Sequence, residues 1–205
     1  KLASYVTIGE EEAVTFEAES GATGFEDILA TSAMRLLQKM RLKEENAVLG
    51  GNTSVALGTV GTVTTSASGT AATLPTLTYD VACVAMTYEG YRNWLATGSV
   101  LATGLVQTKT ITSQDGSTFT LNGGYSQKSA TVTQAITLGQ HLFASVVAIQ
   151  GAVAYGWYIG AAGAAKLEAV TTINSLDFST ALAGTGQTLA SLASTDNSRN
   201  TTVPA

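Results

Sequence analysis

The chain has 205 residues, with one Cys, one His, two Pro, a formal net charge of −5, 45% hydrophobic residues and 12% charged ones. A lone thiol cannot close an internal disulfide, and one Cys with one His cannot supply a four-ligand zinc site. The negative balance argues against a domain built to bind nucleic acid through its phosphates, and the apolar content argues against disorder outside the Ser/Thr/Gly/Ala-rich runs.

At about 200 residues a chain can bury roughly 70% of its unfolded surface, enough for one large domain or two small ones. The chain starts at Lys1 and shows no basic segment leading into a short apolar core. A fragment or processed product without a visible signal peptide is therefore the expectation.

Residues 2–19 predict a hairpin or extended arm. Tyr5, Val6 and Ile8 precede the cluster Gly9-Glu10-Glu11-Glu12, and Val14, Phe16 and Ala18 then alternate with Thr15, Glu17 and Glu19, the period of a half-buried strand. Ser20 to Gly24 reads as a hinge. Beyond it, Thr23-x-x-Glu26 fits a capping box, and Asp27 adds negative charge to the first turn. Phe25, Leu29, Ala33, Leu36 and Met40 recur at helical spacing, and Gly50-Gly51 is a stop signal. The expectation is one helix over residues 25–49, roughly 37 Å long.

Residues 52–76 are small and polar and predict an extended connector ending near Pro75. A buried strand over Thr78 to Met86 follows, then a short aromatic helix over Thr87 to Leu95. Thr108–Thr112 and Ser117–Leu121 flank Gln114-Asp115-Gly116, a hairpin signal, and further strands are expected at 131–136, 142–149, 153–159 and 166–173. No fixed-period repeat is present.

Together these elements predict an α+β fold: an extended loop plus a long spine helix packed on a β-sheet, followed by a β-rich half. The expected divisions are an arm at 1–24, an α+β region at 25–105, a β-rich region at 106–190 and a loose tail at 191–205. Leu142 to Ala165 has no charged residue and exceeds the ~20 residues of a spanning helix. Gln150-Gly151 interrupts it, glycines punctuate it, and its Val, Ile, Tyr and Trp favour strand. Two buried strands joined by a turn are expected, and no membrane partner.

Candidate chemistry is sparse. Cys83 lies within an apolar strand, where a thiol is a small buried hydrophobe. His141 has no Asp or Glu near it in sequence, so only a distant carboxylate could orient it. The carboxylates lack the spacing of a calcium loop, the Gly-rich stretches lack that of a phosphate loop, and no nucleophile elbow or zinc motif occurs. No catalytic residue, metal site or cofactor is expected. Glu10, Glu11, Glu12, Glu17 and Glu19 on the arm, set against Arg35, Lys39, Arg41 and Lys43 on the helix, have the charge complementarity that contacts between neighbouring copies would use.

The acidic loop, the hinge Gly24-Phe25-Glu26-Asp27, the helix end Glu44-Glu45-Asn46-Ala47-Val48-Leu49-Gly50-Gly51-Asn52 and the strand Tyr79 to Met86 leading into Thr87-Tyr88-Glu89-Gly90-Tyr91 together resemble the major capsid proteins of tailed bacteriophages. The likeness spans about residues 5–95. It implies an arm reaching over a neighbouring subunit, a spine helix in a peripheral domain and a second, axial or inserted, β-rich domain. It further implies a non-enzymatic subunit that assembles with itself into an icosahedral head around the genome, built in the host cytoplasm and found in the virion. Scaffold or portal proteins would be the other partners, and sequence-specific nucleic-acid binding is not implied. The rival reading is a β-rich tail or surface module recognising a host glycan or receptor through Trp157 and Tyr158, or through Tyr88, Tyr91 and Trp94.

Overall fold

The computed structural model describes residues 13–22, 27–50, 56–105, 108–112 and 118–200, with the single positions 9, 11, 24 and 116. Its elements in chain order are α1 (Phe16–Ala22), α2 (Ile28–Gly50), β1 (Thr64–Ser68), β2 (Leu77–Met86), α3 (Tyr88–Ala96), β3 (Thr108–Thr112) and β4 (Thr118–Asn122). There follow β5 (Val132–Ile136), β6 (His141–Ser145), β7 (Ala154–Ala161), β8 (Lys166–Thr171), β9 (Ser175–Phe178) and a 3-10 turn at Leu189–Ser191. The chain divides into two compact units: Lys1–Thr53, Thr110–Leu121 and Asn200–Ala205 in one, Ser54–Lys109 and Asn122–Arg199 in the other.

The larger unit is built around a four-stranded sheet of order β5-β2-β7-β8, every neighbouring pair antiparallel. From Tyr79 to Met86 every β2 residue is buried, as is every β7 residue from Ala154 to Gly160. Both faces of these central strands are covered, so they read as continuous apolar runs rather than alternating ones. Tyr79, Val81, Cys83, Tyr155, Trp157 and Ile159 face one apolar cluster, and Ala82, Val84, Met86, Ala154 and Tyr158 face another.

A three-stranded antiparallel sheet, order β1-β6-β9, covers the first cluster with Leu142, Ala144 and Leu176. These two sheets form a sandwich, each sending alternate residues into a shared core. The second cluster is covered by α3 through Tyr91 and Trp94, and by Leu101, Leu105, Tyr125, Leu189 and Leu192. Thr87 caps α3, its side chain accepting from Gly90 N at 3.2 Å.

Buried polar groups staple the loops to this frame. Asp80 accepts from Gly163 N at 2.7 Å, which holds the β7–β8 turn. Glu168 accepts from Ala183 N and Gly184 N at 2.7 and 2.9 Å. Ser129 Oγ and Ser126 Oγ accept from Cys83 N and Ala85 N, satisfying the stretch of β2 beyond its pairing with β5. Burying such groups is tolerable only because each has a partner.

In the smaller unit α2 runs from Ile28, with Asp27 Oδ1 accepting from Ala30 N at 3.0 Å. Its N-cap is therefore Asp27, and Thr23 and Glu26 lie outside the described residues. Thr15 Oγ1 accepts from Ala18 N at 3.3 Å and caps α1 in the same way. The ribbon β3–β4 carries a Thr110–Thr120 hydroxyl contact at 3.2 Å.

The expected fold class needs correction. More of the described chain is strand than helix, so the expected spine helix does not define the fold, and α2 belongs to the smaller compact unit. The sheets of the sandwich belong to the other compact unit, and Leu29, Leu37 and Met40 of α2 are exposed. The second strand of the expected arm is α1, because a Thr cap and residues of adequate helix propensity compete with a two-residue alternation too short to bind a partner strand. The connector contains β1, whose polar positions face outward while Thr65 and Ala67 are half-buried. Segment 191–198, expected to be loose, closes one side of the core: Leu192 and Ser198 are buried, and Asn197 N donates to Tyr125 O at 2.9 Å. Composition misled there because small polar residues pack as readily as they flex once their backbone has partners.

Candidate functional site

Strand β6 alternates strictly. Leu142 and Ala144 enter the core, which sends His141, Phe143 and Ser145 to the opposite face of the sheet. Register places Ser66 and Asp177 on either side of Phe143, and Thr64 and Ser175 on either side of Ser145. The result is a grid of two rows and three strands, about 9–10 Å across the strands. It holds one aromatic ring, one carboxylate and four hydroxyls. A depression of about 310 Å³ lies over it, lined by these residues with Ala144 and Leu176 beneath and Ile173 beside them.

At one end of the grid His141 Nδ1 lies 2.8 Å from Asp177 Oδ1. An ionised carboxylate only accepts, so Nδ1 carries a proton and donates it in this contact. The imidazole stacks beside Phe143, centroids 5.8 Å apart and planes 9° from parallel. It also lies over Gly69, where an added Cβ would fall 2.9 Å from His141 Cδ2, and whose φ is +91°. Glycine is required there twice, for the backbone angle and for the room.

The carboxylate that orients His141 comes from a strand 36 positions along the chain, so no local spacing could have exposed it. The pair holds an oriented carboxylate beside the ring of Phe143. The Ser68 hydroxyl, opposite His141 in register, makes no hydrogen bond to the imidazole. Cys83 is fully buried and its thiol is pushed well above its ordinary pKa by desolvation, the opposite of an activated nucleophile. Among the described residues no three His, Cys, Asp or Glu side chains gather as a metal site, and no helix is long and apolar enough to cross a membrane.

Of the residues nominated by charge, Glu10 and Glu12 lie outside the described residues. Glu11, Glu17 and Glu19 are exposed, the last two in the first turn of α1. Arg35 and Arg41 are exposed on α2, Lys39 is half-buried, and Lys43 is buried with Nζ donating to Gly9 O at 3.2 Å. Lys43 is thus engaged within its own chain.

The aromatics proposed for a glycan face are not together. Trp157 and Tyr158 are buried on opposite faces of β7. Tyr91 and Trp94 stack at 6.0 Å against the second cluster, and only Tyr88 is well exposed, with Arg92 over its ring at 5.9 Å. No protein-family model, curated protein or solved structure matches the chain.

Proposed function

We propose that the chain is a structural subunit that acts by associating with copies of itself, the shell protein of a tailed-bacteriophage head, without catalysis. The observation that carries this reading is the uncovered face of α2. Leu29, Ala33, Leu36, Leu37 and Met40 fall within one stripe at 100° per residue, yet Leu29, Leu37 and Met40 are 53, 51 and 39% exposed. A stripe of that kind on a helix of 23 residues is a surface that a second molecule covers. Arg35 and Arg41 beside it and Glu17 of α1, all exposed, would then set the register between copies, each exposed pair contributing about 0.2–1 kcal/mol, multiplied over every subunit of a closed shell.

In this reading the shell forms in the host cytoplasm, and scaffold and portal proteins are its further partners. The test is sedimentation velocity and negative-stain imaging of the chain across a concentration series. Oligomers or closed particles are expected, abolished by Leu29→Glu with Leu37→Glu. A monomer at every concentration would overturn the reading. The rival, a tail or surface module that binds a host glycan, draws its support from the groove on the β1-β6-β9 face rather than from the aromatics first nominated for it.

A further inference from the structure

We infer that the groove on the outer face of β1-β6-β9 is a binding site for a neutral sugar ring. The inference deepens the glycan-binding alternative and does not depend on the shell reading.

The polar groups of the groove are left open by the protein. The hydroxyls of Thr64, Ser66, Ser145 and Ser175 make no hydrogen bond with any described residue, nor does Asp177 beyond its contact with His141. That leaves hydroxyls able both to donate and to accept, and a carboxylate oxygen that accepts. This is the complement of a polyhydroxyl ligand, whose groups also do both. Asp177 is anchored by His141, and His141 by the space over Gly69 and by Phe143, so the strongest acceptor is already oriented and less entropy is lost on binding.

Phe143 stands at the centre of the grid, half-buried, with Ser66 and Asp177 on either side of it. A pyranose presents an apolar face of C–H groups ringed by hydroxyls. One aromatic surface edged by hydrogen-bonding groups matches that pattern, whereas a purely polar ligand would leave the ring's surface unused. The lining carries a carboxylate and no Lys or Arg, which disfavours phosphates, uronates and other anions through like-charge repulsion. The volume of about 310 Å³ sits at the low end of small-molecule sites, roughly 300–1,000 Å³, and suits one or two rings. An open groove of this size holds a single ring weakly, with Kd of about 1–10 mM.

The test is titration of the full chain with methyl β-D-glucopyranoside and methyl β-D-galactopyranoside, read by amide shifts in two-dimensional NMR. Saturable shifts are expected at Ser66, Phe143, Ser145 and Ser175 with at least one of the two. Asp177→Asn, at an exposed position, should weaken binding about tenfold by removing charge-assisted hydrogen bonds while leaving the melting temperature nearly unchanged. Phe143→Leu should weaken it comparably, and Thr112→Ala on β3 should have no effect. No saturable shift at those residues with either glycoside would overturn the inference. So would equal shifts with glycerol, preferential binding of inorganic phosphate or tetramethylammonium, or full affinity in Asp177→Asn. The shell reading is untouched by any of these outcomes, because its own test lies in sedimentation.

Discussion

At the scale of single residues, burial turns Cys83 and Tyr158 into reporters of the fold. Desolvation raises both acidities' pKa values above the ordinary range, and raises those of Tyr79 and Tyr125 as well. A group whose folded pKa is raised binds its proton more tightly in the folded chain. Its contribution to stability is intact below the unfolded pKa and is lost as pH rises beyond it, by about 1.4 kcal/mol per pH unit per group. Stability should therefore fall from about pH 8.5, where an unfolded thiol ionises, and more steeply from about pH 10, where tyrosines join. Cys83→Ala should flatten the first limb, as urea midpoints measured across this pH range would show. Gly90 gives a second residue-scale prediction. Ala normally stabilises a helix by about 1 kcal/mol over Gly, but a Cβ here would collide with the backbone carbonyl of Gly124. That carbonyl also accepts from Thr87 N at 2.8 Å. Gly90→Ala should instead destabilise by about 1–3 kcal/mol, visible as a lowered melting temperature. The inertness of Cys83 was legible from its apolar neighbours; the partner of His141 was not, since only the pairing of β6 with β9 brings it near.

Elements divide by how much their surroundings constrain them. The run Leu77–Met86, the helix after Thr87, the Thr-rich ribbon at β3–β4 and the strands β5 to β8 announce themselves through periodicity, capping and turn residues that act within a few positions. α1, β1 and β9 do not, because each is short and its state depends on what it meets. α2 is legible as a helix and illegible as a packing unit: spacing places the stripe but cannot say what covers it. Two substitutions separate these cases. Trp157→Ala removes a fully buried ring between β2 and β8, whose Nε1 donates to Thr171 Oγ1 at 2.8 Å; it should cost about 3–5 kcal/mol in a denaturant titration. Leu37→Glu, at a position 51% exposed on α2, should change the stability of the isolated chain by no more than about 0.5 kcal/mol, and on the shell reading should reduce association measured by light scattering.

At the scale of the whole molecule, the two compact units differ in what they bury. The larger holds two apolar clusters on the two faces of one sheet, whereas the only buried side chain described in α2 is Lys43. Opening free energy follows buried contacts rather than element length. Amide exchange should accordingly be slowest in β2 and β7 and markedly faster along α2 although α2 is the longest element, and equal protection of the two would contradict this account. Short-range features are legible along the chain: one thiol with no second cysteine to pair with, the continuous runs that are buried on both faces, and the Thr-rich segments that pair as β3 and β4. These depend on composition and on interactions between residues a few positions apart. Tertiary structure adds that the small polar residues of 192–198 close a core and that Phe143, His141 and Asp177 share one face. Those outcomes are set by strand order and register, which join segments far apart along the chain and leave no mark in the local pattern of either.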